Sequence, residues 1–289
     1  MTIPISREIR EKHTRQVLDW PLARKNYAAL ADVETKTVYL DMGSKVVVQH
    51  NPARAVSASA RTDAASVGSR PCFLCRANRP TEQVVLAEER GYELLVNPFP
   101  VFPQHLTIAS KAHVPQGLAG RMGDMLAFAQ MLPGFAVFYN GPRCGASAPD
   151  HMHFQAVPAH LLPLVADWRR WGHAPLRYIT FRARRGAEAA ATMETVLRGL
   201  GGTPETEPMV NVYSYQLEGW WPEEVEFVVV PRKAHRPSFY GTGEGQMLVS
   251  PAAVECAGVM ITPRREDFER MDFSTLKKIY GEVCGDAMV

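Results

Sequence analysis

Between Tyr92 and Val157, apolar runs and chain breakers alternate in an order that few folds accept. Two strand-like runs, YELLVN (92–97) and HLTIAS (105–110), are separated by PFPVFPQ, whose three prolines forbid a continuing ladder. Residues 117–132 then place Leu118, Met122, Met125, Leu126, Phe128, Met131 and Leu132 at helical spacing. GFAVFYN (134–140) returns to strand, GPRCGASAPD turns, and HMHFQAV (151–157) is strand again. Strand, strand, helix, strand, loop, strand describes an antiparallel α+β unit, not a doubly wound parallel sheet.

The flanks extend this unit. Residues 1–30 read as helix, followed by a hairpin about Met42-Gly43, and residues 51–70 shift to an aperiodic Ala/Ser/Arg/Gly composition that reads as surface loop. Downstream, RYITFRA (177–183), a helical stretch at 186–200, MVNVYSYQLE (209–218) and VEFVVV (225–230) suggest a second copy. Residues 149–158 (PDHMHFQAVP) and 222–231 (PEEVEFVVVP) share both prolines, the Phe and one Val, but the second copy lacks the histidines and the glutamine. VECAGVMIT adds a strand, and residues from Arg264 on a helical end. The expected organisation is an N-terminal helix, hairpin and loop (1–70), a chemistry-bearing half (71–160), and a degenerate half with a C-terminal helical segment (161–289). Two pseudo-repeats would then form one unit without a linker between them.

The 289 residues carry 32 Lys plus Arg against 30 Asp plus Glu, so a net charge of +2 offers no electrostatic footprint for nucleic acid or a membrane surface. Any anionic ligand must be held by a local site. Five cysteines, a charged N-terminal stretch without an apolar core and no apolar run of membrane-spanning length lead to the expectation of a cytoplasmic protein.

Two of those cysteines, Cys72 and Cys75, form CFLC, a spacing that tetrahedral zinc accepts. Cys144, Cys256 and Cys284 are scattered, so the remaining ligands should be histidines from the same unit: His105, His113, His151 or His153. Of these, His113 and His151 lie at strand ends. A redox pair or two inert buried thiols are the competing readings.

His151, His153 and Gln155 alternate with Met152 and Phe154. On a strand, the three polar side chains share one face at intervals of about 6.5–7 Å while Met152 and Phe154 enter a core. An imidazole held in one tautomer is a competent nucleophile toward phosphorus, and a glutamine two residues on can donate its amide to a phosphoryl oxygen. The preceding turn, Asn140 through Ser147 with Gly145 inside it, offers amides and a hydroxyl suited to oxyanions, without the Lys-Ser/Thr ending of a Walker loop. A pair of structural histidines or a His-His metal site is the alternative. Lys111, Arg232 and Lys233 are either phosphate contacts or solvated cations, and Trp220 and Trp221 either stack on a base or pack.

CFLC at 72–75, NPFPVFPQHLTIASKAH at 97–113, YNGPRCGAS at 139–147 and HMHFQ at 151–155 together resemble one branch of the histidine-triad (HIT) superfamily. It is the branch of galactose-1-phosphate uridylyltransferases, diadenosine tetraphosphate phosphorylases and GDP-hexose phosphorylases. The resemblance is carried by residues 70–160 and implies a HIT-like antiparallel sheet. It further implies that His153 is the nucleophile that becomes nucleotidylated. Gln155 would bind the phosphoryl group where the hydrolytic branch has a third histidine, and Asn140, Gly145 and Ser147 would form the phosphate-binding turn. A structural zinc would be held by Cys72, Cys75, His113 and His151, bracing the strand that carries His153.

The resulting expectation is a nucleotidyltransferase or phosphorylase working by double displacement. Its partners would be a nucleotide-sugar or dinucleoside polyphosphate, a phosphate or sugar phosphate acceptor, and a second copy of the chain as a homodimer. A HIT-type hydrolase is the first alternative, against which Gln155 counts because no imidazole remains there as general acid. A non-catalytic, zinc-stabilised nucleotide-binding protein is the second.

Overall fold

The structure, a computed structural model, describes residues 5–55, 64–165, 168, 175–203, 205–216 and 223–284. Trp220 and Trp221 lie outside them. Two helices, α1 (Ile5–Asp19) and α2 (Pro21–Ala28), open the chain and lead into the hairpin β1 (Glu34–Tyr39) and β2 (Lys45–His50). A short helix α3 (Ala64–Gly68) precedes the cysteine pair. β3 (Ala87–Glu89), β4 (Tyr92–Val96) and β5 (Leu106–Ser110) follow, then helix α4 (Met122–Met131), β6 (Phe135–Asn140) and β7 (His153–Pro158). The second half supplies β8 (Ile179–Ala183), α5 (Gly186–Gly199), β9 (Val210–Gln216) and β10 (Val225–Pro231). The chain ends in α6 (Ala253–Cys256), β11 (Val259–Thr262), α7 (Arg265–Arg270) and α8 (Phe273–Val283).

Strands β3 to β10 form one antiparallel sheet in the order β3-β4-β5-β7-β6-β9-β10-β8. Within it, β5-α4-β6-β7 and β8-α5-β9-β10 have the same element order, and their strands mirror each other about the β6/β9 junction, where Asn140 pairs with Asn211. The equivalent helices α4 and α5 meet at two glycines. A Cβ on Gly186 would come 2.9 Å from the Cα of Gly123, so only glycine permits that approach. The second copy has lost the polar triplet: Glu226, at the place of His153, accepts from Tyr215 Oη (2.9 Å) and pairs with Arg182 (3.5 Å).

Strands β4, β5 and β6 are buried on both faces, as befits the centre of a sheet covered on each side. One face packs α4 and α5 over Leu94, Ile108, Val137, Phe154, Val212 and Phe227. The other is covered by the small sheet β1-β2-β11 and helices α6 to α8, packed on Phe138, Val157, Tyr213 and Val228. Met152 and Phe154 enter the first core as the alternation requires; Phe154 lies among Tyr92, Phe128 and Tyr139 with ring centroids 5.8–6.3 Å apart. A one-residue slip of β7 would drive His153 into that aromatic cluster and Phe154 out of it, so aromatic burial sets the register of the polar face.

The helix expected over residues 1–30 is split between Asp19 and Pro21, whose ring cannot continue the first helix. The loop expected over 51–70 contains α3, and three further boundaries depart from the sequence reading. The helix expected over 117–132 starts only at Met122, because Gly120 adopts a positive φ of 71° in the turn before it. VECAGVMIT is half helix and half strand, divided at Gly258 (φ 95°), where a Cβ would strike Leu164 at 2.9 Å. The C-terminal segment breaks into α7 and α8 at Asp272, whose carboxylate caps α8 by accepting from Thr275 N–H at 2.8 Å. Strand β11 runs parallel to β2, so the N-terminal hairpin and the C-terminal segment build one layer together. Among the described residues no helix is long and apolar enough to cross a membrane.

Candidate active site and metal cluster

Cys72, Cys75, His113 and His151 converge from three places: the turn before β3, the end of β5 and the start of β7. One ligand atom from each lies within 4.8 Å of all the others. Cys72 Sγ is 3.3 Å from His151 Nδ1, and Cys75 Sγ is 3.2 Å from His113 Nδ1 and 3.6 Å from His151 Nδ1. With Zn–S near 2.3 Å and Zn–N near 2.0–2.1 Å, tetrahedral geometry demands an S···N separation of roughly 3.6 Å, so the four donors are spaced to hold a metal ion. The orientation of His151 agrees: its Nε2–H donates to Ser110 O at 2.7 Å, which leaves the Nδ1 lone pair facing both thiols. The turn is itself pinned, with Cys75 N–H and Asn78 Nδ2 both donating to Cys72 O (3.2 and 2.9 Å).

Two residues beyond His151, His153 is almost fully buried on the covered face. Its Nδ1 lies 2.8 Å from His151 O. A carbonyl only accepts, so Nδ1 carries the proton and Nε2 keeps its lone pair. Burial pushes its pKa down to about 4 against the opposing hydrogen bond to His151 O, so the ring is neutral at pH 7.

Gln155 is oriented by a residue weighed as a metal ligand. His105 Nδ1 accepts from Val101 N–H (3.2 Å), so its Nε2–H donates to Gln155 Oε1 (2.8 Å), and Asn97 Nδ2 adds a longer contact to the same oxygen (3.4 Å). Burial holds His105 neutral, with a pKa near 3, which keeps this tautomer intact across physiological pH. With its oxygen occupied, Gln155 has its –NH2 left to donate.

Asn140 closes the constellation. Its Oδ1 accepts from Asn211 Nδ2 (3.0 Å) and Ala253 N–H (2.8 Å), which fixes the amide with the nitrogen as the remaining donor. Gln116 ties the two strands together: Oε1 accepts from His153 N–H (2.8 Å), and Nε2 donates to His153 O (3.0 Å) and Asn140 O (2.9 Å).

Gly145 (φ 109°) lies where the turn meets α6; a Cβ there would sit 2.4 Å from Ala252 Cβ and 3.2 Å from Asn140 Oδ1. Gly145→Ala is therefore expected to destabilise the fold by about 3 kcal/mol through positive-φ strain and overpacking. Gly117→Ala, where no atom lies within 4 Å of the added carbon, should stay within about 0.5 kcal/mol. Equal urea midpoints for the two variants would refute this account of the turn.

Ser147 is exposed at the end of the turn, and its carbonyl accepts from Arg70. Lys111 pairs with Glu88 across the outer hairpin at 2.5 Å and is not drawn to the His153 group. Arg232, read as a phosphate contact or a solvated cation, is buried; it donates to Asn211 Oδ1 and to the carbonyls of Ala234, His235, Pro251 and Val283. Gln116, His105, Asn97 and Asn211 escaped the sequence reading as members of this group.

A family described as "Domain of unknown function (DUF4922)" matches residues 13–158, half of the chain. The chain belongs to the DUF4922 family. The matched segment of this DUF4922 chain carries Cys72, Cys75, His113 and His151 and the His153 group up to Gln155. No curated protein matches it. Its fold is similar to crystal structures of yeast Ap4A phosphorylase Apa2, both free (15% identity) and with Ap4A (16%). Each has a TM-score of 0.64 and covers 100% of both chains. Apa2 with AMP aligns at a TM-score of 0.58 and 17% identity over 96% of the DUF4922 chain and 97% of Apa2. The α+β antiparallel architecture expected from the HIT-like motifs is thus shared end to end by the DUF4922 chain and this phosphorylase.

Proposed function

We propose that the protein is a nucleotidyltransferase of phosphorylase type, acting on a dinucleoside polyphosphate or nucleotide-sugar through a nucleotidyl adduct on His153. The observation that carries this reading is the pre-orientation of His153 and Gln155: a neutral imidazole with its Nε2 lone pair free, beside an amide whose oxygen is already bound and whose nitrogen must donate outward. The Apa2-like fold supports the substrate class.

In the first half-reaction Nε2 attacks the α-phosphorus. The N–P bond forms as the bond to the bridging oxygen breaks, and the remaining phosphorylated group leaves as an anion, with no proton required. The imidazole becomes cationic; its Nδ1–H, held by His151 O, spreads that charge toward the carbonyl. The amide nitrogens of Gln155 and Asn140 donate to the non-bridging oxygens as their charge grows. In the second half-reaction an oxygen of inorganic phosphate or a sugar phosphate attacks the same phosphorus and returns the electron pair to Nε2. Both steps pass through similar pentacoordinate states, so one set of donors serves twice.

Cys72, Cys75, His113 and His151 would hold zinc. Four protein donors make a closed, structural shell whose contribution is to brace the start of β7. A cytoplasmic location fits the reduced thiols such a site needs.

The test is intact mass spectrometry of the full chain incubated with diadenosine tetraphosphate or a GDP-sugar in phosphate-free buffer. A mass increase of one nucleotidyl group, discharged on adding phosphate, is expected. Steady turnover without phosphate and without an adduct would establish the hydrolase instead.

A further inference from the structure

A cavity of about 620 Å³ opens at the same edge of the large sheet as His153, beyond the Asn140–Asn211 pair. β7 begins, β6 ends, β9 begins and β10 ends along this edge. The three strand spacings from β7 to β10 put the cavity about 14 Å from the nucleophile's strand. Four cations line it: Arg143 from the glycine-rich turn, Arg177, Arg232 and Lys233. No carboxylate does among the described residues.

The donors of Arg232 are spent on the protein, so it supplies charge from the cavity wall. Among the described residues Arg143 makes one side-chain hydrogen bond, to Glu207 O, and lies in electrostatic reach of the Glu207 carboxylate. Arg177 and Lys233 are exposed and make no side-chain hydrogen bond or ion pair among the described residues. Arg143 and Arg232 are partly offset by the nearby carboxylates of Glu207 and Glu255, whereas Arg177 and Lys233 have no such counterion among the described residues, and a cleft lined by cations focuses a positive field. The C-terminus of α5 also reaches this wall, but its last carbonyls are already capped: Leu197 O accepts from Gly202 N–H at 2.9 Å and Arg198 O from Gly201 N–H at 3.0 Å. Its negative end is thereby muted. Leu200, Pro208 and Met209 give the cavity an apolar side, and its volume is that of a site for a molecule of nucleotide size.

We propose that this cavity is a second binding site, for a nucleoside phosphate, with Arg143, Arg177 and Lys233 on the phosphates and the apolar wall against the nucleoside. The proposal rests on the reading of the chain as a nucleotide enzyme and deepens it. The ligand is either the distal nucleotide of a dinucleoside polyphosphate whose other end lies at His153, or a separate nucleotide.

The experiment is equilibrium dialysis of the full chain with radiolabelled AMP and, separately, diadenosine tetraphosphate, for wild type and Arg177→Glu/Lys233→Glu. Wild type is expected to bind two equivalents of AMP and the variant one. A single equivalent of the dinucleotide whose affinity drops at least tenfold in the variant identifies the distal nucleotide as the occupant. Unchanged dinucleotide affinity, with one AMP equivalent lost, identifies a separate nucleotide. Wild-type stoichiometry and affinity for both probes in the variant overturn the second site, while leaving the His153 adduct untouched. No nucleotide bound by wild type overturns the enzyme reading, and the cavity's ligand with it. Should the charge reversal unfold the chain, Lys233→Gln must still weaken the second AMP equivalent severalfold, and its failure to do so overturns the proposal equally.

Discussion

His153→Ala is expected to lower nucleotidyl transfer on the order of 10⁴-fold or more and to abolish the phosphate-dischargeable adduct. The reason is positional as well as chemical. Nδ1–H is committed to His151 O, so Nε2 is the nitrogen available for attack, and among the described residues neither neighbouring imidazole shares the role: His151 faces the cysteines and His105 is occupied by Gln155. Gln155→Ala removes a donor and leaves the nucleophile, so the adduct should still form, about 10²–10³-fold more slowly. Intact mass against time separates the two variants. Turnover of His153→Ala at the wild-type rate would end the double-displacement reading.

The second large effect concerns the metal. Protein purified without added metal is expected to carry about one equivalent of zinc. Cys75→Ser should empty the site and lower the melting temperature by about 10 °C, the consequence of losing several kcal/mol in a chain of this size. His153→Ala should keep its zinc, which distinguishes loss of the nucleophile from loss of the brace. Because His151 would be both a ligand and the source of the carbonyl that holds His153, the emptied variant should also form its adduct more slowly than wild type. Full zinc occupancy in Cys75→Ser would remove Cys75 from the ligand set.

The parts of the site that were legible in the sequence obey short-range rules. The spacing of Cys72 and Cys75 fits one tetrahedral ion, and the period-2 alternation of His151, His153 and Gln155 separates a polar face from the core that takes Phe154. The resemblance singled out His113 over His105. What stayed hidden is the amide network. Gln116 and Asn211 carry no local signal, because their partners lie 37 and 71 positions away in sequence and depend on how strands and loops meet. His105 sits four residues after Val101, whose backbone N–H sets its tautomer, but nothing in PFPVFPQH announces a contact to Gln155. Arg232 misled for a related reason: a cation just past a strand end is usually solvated, and here the C-terminal layer folds over it. Element boundaries slipped where glycines at positive φ, Gly120 and Gly258, interrupt otherwise continuous patterns.

The parallel pairing of β11 with β2 has a bearing on how the chain is made. Thr262 and His50, joined in this ladder, are 212 positions apart. A growing polypeptide therefore emerges with its hairpin β1-β2 lacking a third strand until Thr262 has been synthesised. Ala253, whose N–H fixes the amide of Asn140, arrives equally late. The turn of Cys72 and Cys75, β5 and β7 are all translated by residue 158, well before Ala253 and Thr262. The layer that fixes Asn140 is therefore completed after the sheet it covers, through contacts that close long loops and so form slowly.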